Sequence, residues 1–180
     1  MKRVSHRVIG RYLAGKKLSD KTFGCRLAFM VGNSIPDYIY ASYLKGWKIK
    51  KLRGHNFPNC YKYLDKLEAK IDKKFNKEKY SKLWYCFKMG VFMHYTTDAF
   101  TYAHNNYFEG NIHQHRLYEA MLHAHFMDVI EDNKQREYYN TYGDTDVVSC
   151  LKRLHDKYER EERCVEVDTS YIFEAINMIM

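Results

Sequence analysis

Long apolar runs and helix-breaking residues are both scarce in this sequence. Its 180 residues include only two prolines and nine glycines, which favours long helices over a chain rich in turns. No apolar run approaches the length of a membrane span. The first residues, MKRVSHRVIG, are too basic and have too short an apolar stretch for a secretory leader. We therefore expect a chain that lacks a transmembrane segment and stays in the cytoplasm.

Paired cysteines are also lacking. The chain has five cysteines, an odd number, and no C-x-x-C spacing. This pattern indicates reduced thiols and gives little support to a thiolate zinc site.

The remaining composition is that of a folded helical protein. Hydrophobic residues make up 46% of the chain and the mean hydropathy is -0.62, so we expect one globular domain over residues 1–180. About seven helical segments are predicted, among them residues 5–14, a helix capped by Ser19 or Asp20, and a long helix over residues 78–105. Residues 32–37 are predicted to break the second helix. The fold class is therefore all-α, a single compact multi-helix domain.

The segment 94–119 contains most of the candidate metal-binding side chains. His94 and Asp98 are four residues apart, as are His115 and Glu119, and this spacing puts each pair on one helix face where it can grip one ion. His104 lies roughly 120° round and about 9 Å further along than Asp98 on a straight helix. It is therefore expected to join the second pair, giving two halves of a metal cluster between helices.

Two readings of these side chains remain open. The helix around His94 and Asp98 is apolar, and charged groups that face a core need partners. A metal is one such partner, and a plain His–Asp hydrogen bond is the other. Imidazole nitrogen with carboxylate oxygen suits zinc, although manganese or iron would accept the same ligands.

These residues, together with Gly90, also form a known sequence pattern. Gly90, His94 and Asp98, then a His six residues later, then H-x-x-x-E, resemble the zinc-dependent phospholipase C family. Upstream, three single residues resemble that family's earlier ligands: His6, Asp37 and His55.

The resemblance implies a cluster of two to three zinc ions. The first zinc would be held by Asp37, His55, His94 and Asp98. The second would be held by His104, His115 and Glu119. The third would lie between His6, a bridging Asp98 and the amine and carbonyl of Met1, where secreted relatives use a terminal Trp. Asp37 would also be the general base, and Tyr38 would line a headgroup pocket.

The function implied is phosphodiester hydrolysis by a zinc-activated water, on a phospholipid or a related phosphodiester. The alternatives are a single-strand nuclease or nucleotidase of the related zinc nucleases, and a non-catalytic metal-binding helical protein. The net charge of +8 suits an anionic partner, either a transient contact with an anionic membrane surface or nucleic acid. Among the other histidines, His113, His125 and His155 are expected at the surface, whereas His123 would orient Glu119 or pack in the core.

Overall fold

The protein is described by a computed structural model that covers residues 1–38, 61, 64–69, 81–131 and 146–180. Residues 64–69 are helical, and two short 3-10 helices cover Ile35–Asp37 and Tyr102–His104. The longer helices are α1 (Arg3–Lys16), α2 (Phe23–Ser34), α3 (Lys82–Ala99), α4 (Ile112–Glu131), α5 (Val147–Tyr158) and α6 (Val165–Ile179). These residues contain no strand, so the predicted all-α class is confirmed.

Helix α3 is the centre of the fold. Its second half is buried on nearly every side, at residues 90–94 and 96–99, as expected of a helix enclosed by others. It packs most extensively against α2 and also contacts α6. Because α3 lies inside the protein, any polar side chain on it must find its partners there.

The other helices pack on one another around the same core. Helix α1 packs on α2 and contacts α4, while α6 packs on α4 and α5. Their apolar faces share one core whose largest fully buried side chains include Phe29, Phe100, Phe126 and Tyr158. The Met1 amine before α1 and His104 of the 3-10 helix both contact Asp98 near the end of α3, and His104 also contacts Glu119 of α4.

Glycines set the spacing between α2 and α3. A Cβ on Gly32 would lie 2.0 Å from the carbonyl oxygen of Phe87, and one on Gly90 would lie 2.1 Å from that of Phe29. Both positions therefore need glycine so that the two backbones can touch. The predicted break at residues 32–37 was too early, since α2 continues through Gly32 to Ser34.

Other helix boundaries also differ from those predicted. Helix α2 is capped by Thr22, whose side chain accepts a hydrogen bond from the Cys25 amide at 3.4 Å, and not by Ser19 or Asp20. The long predicted helix ends at Ala99, six residues short of its expected end at 105. No helix in the described ranges combines the length and the apolar character that a bilayer crossing requires. The assignment of the whole chain to one domain stays a prediction.

Candidate metal centre

Three buried side chains from α1 and α3 form the first group of candidate ligands: His6, His94 and Asp98. One ligand atom from each lies within 4.8 Å of the other two. His6 Nε2 is 3.1 Å from Asp98 Oδ1, and His94 Nε2 is 3.4 Å from Asp98 Oδ2. The rings of His6 and His94 stack with their centroids 3.9 Å apart. Both imidazoles are thus held against one carboxylate.

The second group lies where α4 faces the 3-10 helix. His104, His115 and Glu119 also offer ligand atoms within 4.8 Å of one another. Glu119 Oε1 is 3.1 Å from His104 Nε2 and 3.5 Å from His115 Nε2. These side chains are only partly buried, so this side of the centre opens towards solvent.

Asp98 and the amine of Met1 join the two groups. Asp98 Oδ1 lies 3.4 Å from His104 Nδ1. The Met1 amine donates to Asp98 Oδ1 at 2.8 Å, contacts His104 Nε2, and lies 3.2 Å from Glu119 Oε1. The two groups therefore form one continuous centre, with the chain terminus inside it.

The charges in this centre depend on one another. Burial alone would lower the pKa of the Met1 amine, but the negative charges of Asp98 and Glu119 outweigh it and raise the pKa. Burial opposes ionisation of Asp98 as well, yet the amine and the neighbouring histidines hold its pKa well below the usual range. The pKa of Glu119 is lowered in the same way, with burial again opposed by His104 and His115. Both carboxylates are thus kept in the ionised form that a cation requires.

Asp37 approaches the first group from the end of a 3-10 helix. Its Oδ1 lies 3.9 Å from His94 Nε2, and burial raises the pKa of this carboxyl. Its Oδ2 is buried and has no hydrogen-bond partner within the described part of the chain. A buried carboxylate oxygen that lacks a donor is costly in a folded protein, and a cation at this position would remove that cost.

Asn33 and Asp168 position the candidate ligands, and sequence reasoning missed both. The Asn33 carbonyl accepts from His94 Nδ1 at 3.0 Å, and its side chain donates to the His6 carbonyl at 2.6 Å. Donation from Nδ1 directs Nε2 of His94 towards the two carboxylates. The sequence offered one signal for Asn33, a polar residue near the end of a mostly apolar helix.

Asp168 acts on the other side of the centre. It accepts from the Tyr102 amide at 2.8 Å and from the hydroxyls of Tyr118 at 2.9 Å and Tyr158 at 2.6 Å. Tyr102 begins the 3-10 helix of His104, and Tyr118 precedes Glu119. Asp168 therefore fixes both segments that carry the second group.

The structure brings together most of the predicted site residues: Met1, His6, Asp37, His94, Asp98, His104, His115 and Glu119. His55 lies outside the described residues. The expectation that His104 continues the helix of Asp98 was wrong, because α3 ends first and the chain turns back. The expected surface position of His155 was also wrong, since it is 1% exposed. His113 is exposed as predicted, His125 is partly buried, and His123 bonds Ser5 rather than Glu119.

The donors present are imidazole nitrogens, carboxylate oxygens and a terminal amine, and this set of donors fits zinc. The comparison with known families favours a zinc site over a simple His–Asp hydrogen bond as the explanation of these buried polar side chains. A family model described as zinc dependent phospholipase C matches residues 6–165. The chain belongs to the zinc-dependent phospholipase C family. As a member of the zinc-dependent phospholipase C family, it is a zinc-dependent hydrolase. No curated protein and no solved structure matches the chain significantly.

Proposed function

We propose that this protein hydrolyses a phosphodiester bond, in a phospholipid or a related phosphodiester, at a cluster of two to three zinc ions. The observation that carries the proposal is the junction of the two ligand groups at Asp98, whose Oδ1 lies within 3.4 Å of both His6 Nε2 and His104 Nδ1. One carboxylate shared in this way suits ions held close together, which is the arrangement used for phosphoryl chemistry.

The ligands divide among the ions as follows. His94, Asp98 and Asp37 would hold the first ion, with His55 as the fourth ligand carried over from the family pattern. His104, His115 and Glu119 would hold the second. His6, Asp98 and the Met1 amine would hold a third, which requires the amine to lose its proton. When bound, zinc lowers the pKa of a water and neutralises charge on the phosphate oxygens.

Asp37 supports the catalytic step as general base. Its Oδ2 has no hydrogen-bond donor within the described residues, so one oxygen of the carboxylate would hold the ion while the other accepts a proton from an attacking water. His94 lies beside it and is held by the Asn33 carbonyl, so the base and the first ligand group keep a fixed relation.

The test combines one substitution with two measurements. Asp37→Asn is expected to lower kcat for a soluble chromogenic phosphodiester and for phosphatidylcholine vesicles by roughly 10²- to 10⁴-fold, the range of a general base. Zinc per chain and the melting temperature are measured on the same samples. Asp128→Asn, at an exposed position on α4, is the matched control and should retain activity.

Three outcomes would contradict the proposal. Full activity of Asp37→Asn removes Asp37 as the base. Wild-type protein that carries zinc but cleaves neither substrate points to a non-catalytic metal-binding protein. Release of mononucleotides from single-stranded DNA, without lipid cleavage, would favour the nuclease reading.

A further inference from the structure

A groove with a volume of about 370 Å³ runs along the outer side of the contact between α1 and α2. Arg7, Arg11 and Tyr38 line it, and Met30, Val31 and Ile35 supply apolar surface. The groove thus combines an apolar floor with a basic edge.

Arg7 and Arg11, which line the groove, belong to a row of three exposed arginines at four-residue spacing on α1: Arg3, Arg7 and Arg11. The guanidinium carbons of Arg3 and Arg7 lie 5.1 Å and 5.6 Å from the centroid of the Tyr38 ring. Arg7 also donates a hydrogen bond to the Tyr38 hydroxyl. Stacking on a ring holds a guanidinium in place and leaves most of its N–H groups directed outward.

These arginines have no acidic partner among the residues that the structure describes, because none of the ion pairs found there involves them. The sequence shows the same imbalance. Residues 1–60 contain thirteen Lys and Arg but only Asp20 and Asp37 as acids, whereas residues 61–180 contain seventeen Lys and Arg and twenty acids. The positive charge of the chain is therefore concentrated in its first third, where an anion would relieve the repulsion.

Two residues of the groove are neighbours of candidate metal ligands in the sequence. Tyr38 follows Asp37, and Arg7 follows His6. Because consecutive Cα atoms are about 3.8 Å apart, the Cα atom of each of these groove residues lies that close to the Cα atom of a candidate ligand. Arg7 bonds the Tyr38 hydroxyl, so the part of a substrate that extends from the metals past Asp37 and Tyr38 would meet Arg7 with a second charged group.

We propose that Arg3, Arg7 and Arg11, with Tyr38, form a subsite for a second anionic group, a phosphate on the headgroup of the substrate. This inference rests on the proposed phosphodiester hydrolysis and narrows its substrate class to phospholipids whose headgroup carries an additional phosphate. Planar guanidinium groups match phosphate geometry through paired hydrogen bonds. The apolar floor of the groove would contact the carbon atoms of the substrate that lie between the phosphodiester and the additional phosphate.

The first test measures selectivity. The kcat/KM for a short-chain phosphatidylinositol monophosphate is divided by that for phosphatidylcholine of the same acyl length. Replacing both Arg7 and Arg11 by Gln should lower this ratio at least about tenfold, mainly through KM for the anionic lipid, as expected for lost charge-assisted hydrogen bonds. The single variant Arg7→Lys should keep more of this ratio than the double variant does. Lysine keeps the positive charge but cannot make the paired hydrogen bonds of a guanidinium group. Arg160→Gln, at an exposed position after α5, should leave the ratio unchanged.

The second test measures binding without catalysis. Chelator-treated protein is titrated with inositol bisphosphate, with anionic vesicles and with a single-stranded oligonucleotide. Loss of inositol bisphosphate binding in the double variant, but not in Arg160→Gln, supports the subsite. Vesicle binding that depends on the arginines without any binding of the soluble headgroup would assign them to the bilayer surface and overturn it. Tighter, arginine-dependent binding of the oligonucleotide would overturn it in favour of nucleic acid.

The two tests separate this inference from the proposed function. If both lipids are cleaved and the selectivity ratio is the same in the double variant, the subsite is wrong and the hydrolase stands. If neither lipid is cleaved but inositol bisphosphate binds through the arginines, the anion site is real, but the proposed hydrolysis is wrong and with it the role of the site as a substrate subsite.

Discussion

At the residue scale, Asp98 is the side chain on which the candidate centre depends. It contacts His6, His94, His104 and the Met1 amine and is 1% exposed. A carboxylate at this depth is stable in its ionised form only when cations or donors surround it. The protein supplies these from three separate segments, so Asp98 ties α1, α3 and the 3-10 helix of His104 together.

His155 is a second buried polar residue, away from the centre. Its Nε2 lies 3.2 Å from the side-chain oxygen of Asn105. Burial lowers the pKa of His155 to about 4, below the value of about 6.5 for an unfolded chain. The folded protein therefore holds this imidazole neutral over a pH range in which the unfolded chain binds a proton.

This difference predicts a pH-dependent stability. The unfolded state binds more protons between about pH 6.5 and pH 4, so the contribution of His155 is fully present above that range and is lost as pH falls through it, by up to about 3 kcal/mol. The free energies of unfolding of the wild type and of His155→Gln should differ by an amount that shrinks with falling pH. Denaturant titrations at several pH values measure it.

The comparison with a variant is needed because Asp168 acts in the opposite direction. Burial raises the pKa of Asp168 to about 6, so its contribution to stability falls as pH rises from about 4 to 6. His113→Gln, at an exposed position, is the control and should follow the wild type at every pH. A constant difference between wild type and His155→Gln would show that His155 does not titrate differently on unfolding.

At the scale of elements, the contact between α2 and α3 positions the first ligand group. Helix α2 carries Asn33, whose carbonyl holds His94, and leads into the 3-10 helix that carries Asp37. The two helices can approach this closely only because Gly32 and Gly90 have no side chain. The geometry around His94 therefore depends on two glycines that bind nothing.

Substitution of Gly90 tests this dependence. Gly90→Ala places a Cβ 2.1 Å from the Phe29 carbonyl oxygen and 2.7 Å from the Asn33 amide nitrogen, so the helices must move apart. We expect a loss of about 3 kcal/mol or more in the free energy of unfolding and weaker zinc binding. Denaturant unfolding and metal titration measure the two effects.

Gly15→Ala is the matched control. It lies in α1, and a Cβ there meets nothing within 4 Å. The change should leave zinc binding intact and raise stability by about 0.5 to 1 kcal/mol, since alanine is favoured over glycine in a helix. Equal effects of the two substitutions would mean that the α2–α3 contact does not need a glycine.

At the scale of the whole molecule, the candidate centre connects distant parts of the chain. The contact between the Met1 amine and Asp98 spans 97 positions in sequence, and α1, α3 and α4 all contribute ligands. A metal bound here would bind the folded state and not the unfolded chain, so it would stabilise the protein by mass action. The cytoplasmic location and contact with an anionic membrane remain predictions.

Metal removal and a terminal extension test the centre as a unit. Zinc at about 100 times its dissociation constant should add about 2.7 kcal/mol, which corresponds to a rise of roughly 5 to 10 °C in melting temperature for a chain of this size. Untagged protein should contain two to three zinc ions per chain by plasma mass spectrometry. An extension before Met1 turns the amine into an amide and should remove about one of them.

A C-terminal tag is the control for the extension, because its effect on zinc content should be nil. An N-terminally extended protein with the full complement of zinc would exclude Met1 as a ligand. A melting temperature that does not respond to zinc would contradict the centre as a whole.

The sequence by itself determined the features that depend on local geometry. Few prolines and glycines with helical periodicity predicted the all-α class, and four-residue spacing predicted that His94 with Asp98, and His115 with Glu119, would each share a helix face. The family pattern added Asp37, His6 and Met1 to this set. The pairing of residues four apart could be predicted because a helix fixes the relation of residues one turn apart.

Tertiary structure decided what depends on contacts between distant segments. The turn after Ala99 brings His104 to Asp98, packing against the core buries His155, and Asp168 fixes the segments of Tyr102 and Tyr118 from 66 and 50 positions away. The groove lined by Arg7 and Arg11 likewise forms only because α1 packs against α2. No sequence spacing encodes these contacts, because they arise from which helix faces become buried against each other when the whole chain packs.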